Sequence, residues 1–220
     1  MRDLNQLLLK FDLKQNYKNE DFYVNKSNYY AFNLIESWPR WEKNILNIYG
    51  EKYCGKTHLS NIFKKKHKAF KAQANEFNND NLIEFKVHES LILDDFDDNV
   101  DEKLMYTLFN IADQDNKYIL INSLKPINKI NFKLEDFVSR TKNCLFAKIE
   151  NPDDELIFAI LLKNFSDRQI TIEKKLIDFI IKHIDRSYEK IYEFIYKIDE
   201  ISLKKKKSID FKIIKEALKV

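Results

Sequence analysis

The stretch GEKYCGKT, running from Gly50 to Thr57, matches the pattern G-x-x-x-x-G-K-[ST] of a phosphate-binding loop. In such a loop the glycines let backbone N–H groups turn inward onto phosphate oxygens, a lysine (here Lys56) neutralises phosphate charge and the Thr57 hydroxyl ligates Mg²⁺. Gly50 and Gly55 are the only glycines of the 220-residue chain, which indicates that the backbone requires them here. The alternative is a chance match in an ordinary turn.

Apolar and helical patterns flank this loop in the order that a phosphate-binding loop requires. The predicted buried strands span residues 45–49, 90–93, 118–121 and 144–149. The predicted helices that follow them span residues 57–66, 102–112 and 153–165. Strands that alternate with helices predict a parallel sheet.

The C-terminal part of the sequence has a different pattern. From about Ile172 onward it shows helical segments and no strand pattern, which predicts a small all-helical satellite. The predicted helices span residues 173–184, 188–201 and 210–218. The four-lysine run at 204–207 is typical of a solvated turn.

Two carboxylates stand at the end of the strand predicted at 90–93. A phosphate-binding loop needs a carboxylate at the tip of a neighbouring buried strand, where it holds Mg²⁺ through water and polarises the attacking water. We expect Asp94 to serve the metal and Asp95 the water, with Asp97 and Asp98 in the following loop. The alternative is an acidic cluster that caps the next helix.

Three polar residues later in the chain are weaker candidates. Asn122 and Ser123 follow the strand predicted at 118–121, where a side chain could lie near the terminal phosphate, although a turn before Pro126 explains them equally well. Arg140 ends a segment that precedes a strand, so it could reach a subunit edge and complete a neighbour's site as an arginine finger. The alternative is an ordinary surface arginine.

Composition narrows the class of protein. The 38 basic and 35 acidic residues give a net charge of +3, which does not favour nucleic acid or an anionic membrane as the principal partner. Cys54 and Cys144 lie far apart without metal-ligand spacing, so we expect no zinc site or disulfide framework and a cytoplasmic location. The N-terminus carries no long apolar run, so we expect neither a signal peptide nor a membrane-spanning helix.

Three short motifs give the chain a family resemblance. KTHL at 56–59, the pair DD at 94–95 and SR at 139–140 occur in the order seen in the AAA+ core of the DnaA-related family. Softer similarity extends outward, to the family's adenine-side segment at 21–28 and to its helical lid around 185–202. The resemblance implies an AAA+ P-loop α/β domain with a parallel sheet over residues 17–165 and a small C-terminal helical lid domain over residues 166–220.

The resemblance also implies a nucleotide site. The expected cofactor is ADP or ATP with Mg²⁺, and the residues that would contact the nucleotide are Phe22, Val24, Gly50, Cys54, Gly55, Lys56, Thr57, His58 and Asn122. Thr57 and Asp94 would hold the metal. Asp95 and Arg140 would be the catalytic residues, with Arg140 acting on ATP held by another subunit.

Two features are closer to the Hda-type regulators of this family than to DnaA itself. The sequence ends soon after the lid, which leaves no room for the helix-turn-helix domain that reads origin boxes. Residues 1–16 contain QLLLKF, which resembles the peptide that these regulators insert into the replicative sliding clamp. Gln6 would make polar contacts, and Leu7, Leu9 and Phe11 would fill an apolar pocket. An N-terminal strand that joins the sheet is the alternative.

The chain departs from the family at two positions. Glu189 stands where the lid carries a sensor arginine, and Leu124 where a sensor aspartate is expected. Both changes weaken self-hydrolysis while leaving phosphate binding intact. The resemblance therefore implies a nucleotide-stabilised regulator that holds ADP in preference to ATP. With the DNA-loaded clamp, it would stimulate hydrolysis of DnaA-bound ATP.

The implied partners are DnaA and the sliding clamp, with DNA reached only through the clamp and no membrane contact. A homodimer is left open. The rival interpretation is an autonomous AAA+ ATPase of the clamp-loader or helicase-loader type that works through Asp95. Direct DNA binding in the manner of DnaA ranks last.

Overall fold

The first part of the chain forms a parallel sheet with helices on both faces. The computed structural model describes residues 22–168, 170, 172–205 and 207–218. Within them the strands are β1 (Ile45–Tyr49), β2 (Phe70–Gln73), β3 (Ser90–Phe96), β4 (Tyr118–Ser123) and β5 (Leu145–Lys148). The helices of this part are α1 (Tyr29–Ser37), α2 (Lys56–His67), α3 (Asn79–Lys86), α4 (Glu102–Gln114) and α5 (Glu135–Lys142).

The strands lie in the order β2-β3-β4-β1-β5, and every neighbouring pair is parallel. Parallel strands need crossover connections, which α2 to α5 supply in turn. Because all the strands run in one direction, their carboxyl ends meet at one edge of the sheet. Tyr49, Asp94 and Asn122 come together at this edge, which is where open α/β sheets bind ligands.

The central strands are buried on both faces. Ile119 and Ile121 belong to a core that includes Phe109 of α4 and Phe137 of α5. Leu120, between them, points to the opposite core, which is shared with α1 and α2. Burial on both faces explains the continuous apolar runs from which the strands were predicted.

The C-terminal part is a helical unit with a core of its own, formed by α6 (Asp154–Asp167), α7 (Lys174–His183), α8 (Tyr188–Lys205) and α9 (Phe211–Leu218). Helix α6 joins the two units, because Leu156 belongs to the core beside the sheet and Ile157 to the helical core. The domain boundary predicted between residues 165 and 166 falls inside this helix.

The predicted α/β fold with a parallel sheet is confirmed. The four predicted strands correspond to β1, β3, β4 and β5, and the predicted helices match α2, α4 and α6 to α9 within a few residues. Sequence analysis missed β2, α1, α3 and α5. Strand β2 has the sequence FKAQ and is half-exposed at the sheet edge, so it lacks the apolar run that marks a buried strand.

Two further expectations concern the N-terminus and the membrane. The predicted clamp-binding segment 1–16, with Gln6, Leu7, Leu9 and Phe11, lies outside the described residues. None of the helices that the structure describes combines the length and the apolar character needed to cross a membrane.

Candidate nucleotide-binding site

A cavity of about 730 Å³ opens at the carboxyl edge of the sheet, between the glycine-containing loop and the helical unit. One wall is formed by Lys52 to His58, which include most of the predicted loop residues. The strand ends contribute Asp95 and Leu124, and the chain before α1 contributes Phe22. The opposite wall comes from α6 and α8. The volume is in the range of small-molecule and cofactor sites.

The two glycines allow contacts that side chains would block. A Cβ atom on Gly50 would lie 2.9 Å from the Ile149 carbonyl oxygen and 3.0 Å from Cys54 Sγ. Gly55 has φ +101°, and its Cβ would lie 3.1 Å from the Phe22 ring. A left-handed φ is readily adopted only by glycine. Backbone geometry and close contacts therefore explain why both positions are occupied by glycine, as the sequence indicated.

Lys56 folds back over the loop from the first turn of α2. Its Nζ donates to the carbonyl oxygens of Gly50 and Glu51, at 2.8 Å each, and lies 3.7 Å from Cys54 Sγ. The ammonium group is thus held at the centre of the loop, beside the N-terminus of α2, where a helix favours negative charge. Burial raises the pKa of the Cys54 thiol, so this neighbour stays protonated at neutral pH.

Asp94 is at the centre of a buried polar network behind the loop. It is 3% exposed, and its Oδ1 accepts hydrogen bonds from Asn122 Nδ2 at 2.9 Å and from Thr57 Oγ1 at 3.5 Å. Its Oδ2 pairs with Lys71 Nζ at 2.8 Å. Burial alone would raise the pKa of Asp94, but the hydrogen bonds from Lys71 and Asn122 outweigh it and hold the pKa below its ordinary value.

Asp95 points the other way. The pairing of β3 with β4 is irregular between Leu93 and Phe96, and Asp95 has φ +52° within this bulge. The bulge turns the carboxylate out of the sheet, so Asp95 is exposed and lines the cavity. Helix α4 is capped by Asp101, so the alternative of Asp94 and Asp95 as capping residues does not hold.

The loop is also attached to the helical unit. Glu51 Oε2 accepts a hydrogen bond from the backbone N–H of Tyr188 at 2.9 Å, and its Oε1 accepts one from Ser187 Oγ. Tyr53 stacks on Tyr192 of α8, with ring centroids 4.0 Å apart and an interplanar angle of 10°. Two loop side chains therefore hold the N-terminal turns of α8 against the α/β unit.

Comparison with known proteins gives this arrangement a family context. The chromosomal replication initiator protein DnaA of Helicobacter hepaticus is 28% identical over 228 residues, which span 92% of this chain and 50% of the relative. DnaA of Borrelia hermsii is 30% identical over 200 residues, spanning 78% of this chain and 41% of the relative. The chain is homologous to DnaA. It spans about half the length of the curated relatives it matches, and no protein-family model matches it.

Solved structures locate the homology within DnaA. Domain III of the Thermotoga maritima replication initiation protein DnaA superposes with a TM-score of 0.75 at 22% identity, covering 92% of this chain and 95% of that domain. DnaA from Aquifex aeolicus, solved with AMPPCP bound, gives 0.66 at 21% identity over 89% of this chain and 71% of that one. The RuvB branch migration motor of Thermotoga maritima gives 0.69 at 12% identity over 93% and 72%. The fold is thus that of the AAA+ domain III of DnaA.

In this DnaA-like fold, the predicted nucleotide residues fall into two groups. Those that line the cavity are Phe22, Cys54, Gly55, Lys56, Thr57 and His58, together with the predicted catalytic residue Asp95. The His58 ring meets the Phe22 ring edge-on at 5.3 Å, which fixes the N-terminal wall. The predicted residues that lie outside the cavity lining are Val24, Gly50, Asp94 and Asn122.

Asn122 differs most from its predicted role. It is fully buried, and its amide nitrogen donates to Ser60 Oγ at 2.6 Å and to Asp94 at 2.9 Å. It therefore orients Asp94 from behind. Ser123 donates to the Lys125 carbonyl oxygen at 2.6 Å, as expected for a residue that forms a turn.

The two predicted departures from the family pattern, Leu124 and Glu189, differ in their position relative to the cavity. Leu124 follows β4, is 55% exposed and lines the cavity with an apolar side chain. Glu189 lies in the first turn of α8 but is not among the described residues that line the cavity, whereas its neighbours Tyr188 and Tyr192 are. Burial raises the pKa of the Tyr188 hydroxyl to about 12, so it remains neutral.

Arg140 lies near the end of α5, away from the cavity of its own chain. Its Nη1 pairs with Asp113 Oδ2 of α4 at 2.7 Å, and both side chains are more than a third exposed. The ion pair thus reaches α4 and does not involve the adjacent Glu135 or Asp136. An exposed pair of this kind leaves the guanidinium accessible from solvent.

Sequence analysis did not predict the residues that hold the loop against the helical unit, or the residue that pairs with Asp94. Glu51 and Tyr53 occupy variable positions of the loop motif, so no motif identifies them. Tyr192 and Lys71 were likewise not predicted, since each acts through a contact distant in sequence. Asn28, which lines the cavity, lies in the segment that resembles the adenine side of the family.

Proposed function

We propose that this chain binds an adenine nucleotide, ADP in preference to ATP, in the cavity between the loop and the helical lid. The observation that carries the proposal is the loop Gly50–Thr57 at the carboxyl edge of the sheet, with Lys56 held at its centre and Thr57 beside Asp94. Phosphates would bind to the loop backbone and to Lys56. Phe22, Cys54, Gly55 and His58 would flank the nucleotide, with Val24 and Gly50 shaping the walls behind them.

Any Mg²⁺ that accompanies the nucleotide would lie beside Thr57 and Asp94, the two residues that the family resemblance implies. Their side chains lie side by side, with 3.5 Å between Oγ1 and Oδ1, and hydroxyl and carboxylate oxygens are donors that Mg²⁺ accepts. Within the described residues no cluster of three or more His, Cys, Asp or Glu side chains could hold a metal by itself. The phosphates would therefore have to supply further ligands to a metal at this edge, and the metal would neutralise the phosphate charge.

We further propose a regulatory role in replication initiation, in which the chain stimulates hydrolysis of ATP bound to DnaA. The support comes from Leu124 and Glu189. The Leu124 side chain cannot form a hydrogen bond to an attacking water. The Glu189 side chain is negatively charged, whereas phosphates attract positive charge. Weak hydrolysis of its own nucleotide suits a chain whose Arg140 acts in trans, as an arginine finger does.

This role brings with it the partners and the location. The chain would act in the cytoplasm on DnaA, held by the DNA-loaded sliding clamp through Gln6, Leu7, Leu9 and Phe11. The chain would reach DNA only through the clamp. It could form a homodimer when it is not bound to DnaA. Residues 1–16 would form the N-terminal segment, residues 17–165 the AAA+ domain and residues 166–220 the lid.

The regulatory proposal is tested by turnover of DnaA-bound ATP in the presence of clamp and DNA. Wild type should stimulate turnover and Arg140→Ala should not, because an arginine finger contributes about 10³-fold or more to phosphoryl transfer. Lys142→Ala, on the same exposed turn of α5, is the control for general loss of charge. Asp113→Asn breaks the ion pair but keeps Arg140, so this variant should still stimulate ATP turnover by DnaA. If it fails to stimulate, as Arg140→Ala should, the ion pair and not the free guanidinium is what stimulation requires.

The clamp contact is tested separately. Replacing Gln6 and Leu7 with Ala should abolish binding to the isolated clamp while leaving the melting temperature unchanged, since a terminal peptide contributes little to a core. Binding as tight as wild type would remove the clamp from the proposal.

The rival function, an autonomous ATPase, is favoured by one observation. Asp95 is exposed in the cavity, where it could polarise a water. Steady-state ATP hydrolysis by the isolated chain, abolished by Asp95→Asn, would support this rival over the regulatory role.

A further inference from the structure

Lys71 is a half-buried counter-ion of the carboxylate that the resemblance assigns to the metal. Its ammonium lies 2.8 Å from Asp94 Oδ2, and its side chain is only 18% exposed. Asn122 and Thr57 approach the other oxygen, at 2.9 and 3.5 Å. Both oxygens of Asp94 are therefore engaged by groups of the protein itself, one of them by a full positive charge.

The strand register makes this pairing a fixed feature of the fold. Lys71 of β2 lies opposite Ile92 of β3, and Asp94 is two residues farther along β3 on the same face. Diagonal neighbours on adjacent strands lie within reach of a long side chain. Lys71 approaches from the sheet edge and is not among the described residues that line the cavity. A nucleotide can therefore enter without displacing it.

The pairing changes what Asp94 offers a divalent cation. A buried carboxylate must be matched by positive charge, and at this position in phosphate-binding sites that match comes from Mg²⁺. Here the match is already made by Lys71. An incoming Mg²⁺ would meet a neutralised carboxylate and would be repelled by the ammonium beside it.

We infer that Lys71 replaces Mg²⁺ at Asp94, so that the chain binds a nucleoside diphosphate with little dependence on divalent cations. The inference rests on the nucleotide binding proposed above and adds the residue that decides its metal requirement. A diphosphate suits such a site, because the metal's role of bridging β- and γ-phosphate oxygens falls away with the γ-phosphate.

The test is the dissociation constant of ADP, measured by calorimetry in buffer with excess Mg²⁺ and in buffer with excess EDTA. Wild type should give values within about threefold of each other, which corresponds to less than about 0.7 kcal/mol. Lys71→Met keeps the length and apolar stem but removes the charge, so removal of Mg²⁺ should weaken its ADP binding about tenfold or more. Lys71→Arg keeps the charge and should behave as wild type.

A second variant covers the case in which Lys71→Met does not fold. Lys71→Gln removes the positive charge but keeps a hydrogen-bond donor for Asp94, and removal of Mg²⁺ should weaken its ADP binding about tenfold or more. A folded Lys71→Gln variant that binds ADP equally well in both buffers would overturn the inference.

The outcomes separate this inference from the proposal beneath it. Wild-type binding that requires Mg²⁺ overturns the role of Lys71 alone, as does a folded Lys71→Met variant that remains insensitive to the metal. If wild type binds no ADP in either buffer, the proposed nucleotide function fails and the inference falls with it.

Discussion

The fixed and the variable positions of one eight-residue loop serve different parts of the molecule. At the fixed positions, Gly50 and Gly55 leave no room for a Cβ atom, and Lys56 folds back over the loop. The variable positions Glu51 and Tyr53 hold α8 of the helical unit, through a hydrogen bond to its first turn and a stack on Tyr192 in its second. The same loop therefore lines the cavity and holds the helical unit that forms the opposite wall.

The two sets of contacts differ in what they require of a ligand. In the proposed function, Lys56 and the loop amides would contact the phosphates of a bound nucleotide. Glu51 and Tyr53 make their contacts within the chain, without any ligand. The loop thus contacts the helical unit by itself, at the first turn of α8, which also carries Glu189. The comparison predicts that nucleotide affinity and lid docking respond to different substitutions.

The largest effect is expected for Lys56→Ala. Removing a charged hydrogen-bond donor from the cradle should weaken ADP binding about 30-fold or more, the equivalent of about 2 kcal/mol. Hydrogen exchange of the first turns of α8 should be unchanged, because Glu51 and Tyr53 remain. Lys64→Ala, exposed on the same helix, is the matched control. ADP affinity equal to wild type in Lys56→Ala would break the assignment of the fixed positions.

The next largest effect is expected for Glu51→Ala. The substitution leaves the Tyr188 N–H and the Ser187 hydroxyl without their acceptor, which should cost about 1–2 kcal/mol, as loss of a helix cap does. Amide exchange at the start of α8 should accelerate, while the β1 and β4 amides stay protected. Glu51→Gln keeps one acceptor oxygen, so its free energy of unfolding should lie between those of wild type and Glu51→Ala. Unchanged exchange in α8 would show that the lid is held by other contacts.

Tyr53 should contribute less. An offset aromatic pair adds about 1 kcal/mol beyond burial, so Tyr53→Ala should lower the free energy of unfolding by roughly that amount and Tyr53→Phe by almost none. Denaturant unfolding of both variants measures the difference. Equal losses in the two variants would assign the contribution to the hydroxyl group and not to the stack on Tyr192.

Arg140 lies outside the loop and gives the smallest expected change in stability. Its exposed ion pair with Asp113 should be worth at most about 1 kcal/mol, and less in high salt. Arg140→Ala should therefore unfold at nearly the wild-type denaturant concentration. A clearly larger loss would mean that Arg140 is a structural residue, and any change in DnaA stimulation would then need a different explanation.

The sequence was most informative where one motif demands one backbone geometry. Gly55 at φ +101° and Gly50 against the Ile149 carbonyl fit nothing larger than hydrogen, so the loop could be predicted from its pattern alone. The doubly buried strands β1, β3 and β4 were predictable because apolar runs report burial on both faces. Strand β2 was not, because an edge strand carries a mixed composition.

The contacts between distant segments escaped prediction for a related reason. Glu51 with Tyr188, Tyr53 with Tyr192 and Lys71 with Asp94 are pairs whose members show no pattern individually. Asp94 and Asp95 were both identified, but their opposite orientations follow from a bulge that the sequence does not signal. Asn122 was likewise identified, yet whether it meets the ligand or its neighbour depends on its burial in the folded protein.

The central claim, that the cavity between loop and lid holds an adenine nucleotide, is tested most directly by the nucleotide that copurifies with the protein. Protein purified without added ligand is denatured, and the released small molecules are separated and identified by chromatography. The account predicts close to equimolar ADP from wild type and none from Lys56→Ala. The claim would be contradicted if wild type releases no nucleotide and its melting temperature does not rise in saturating ADP or ATP.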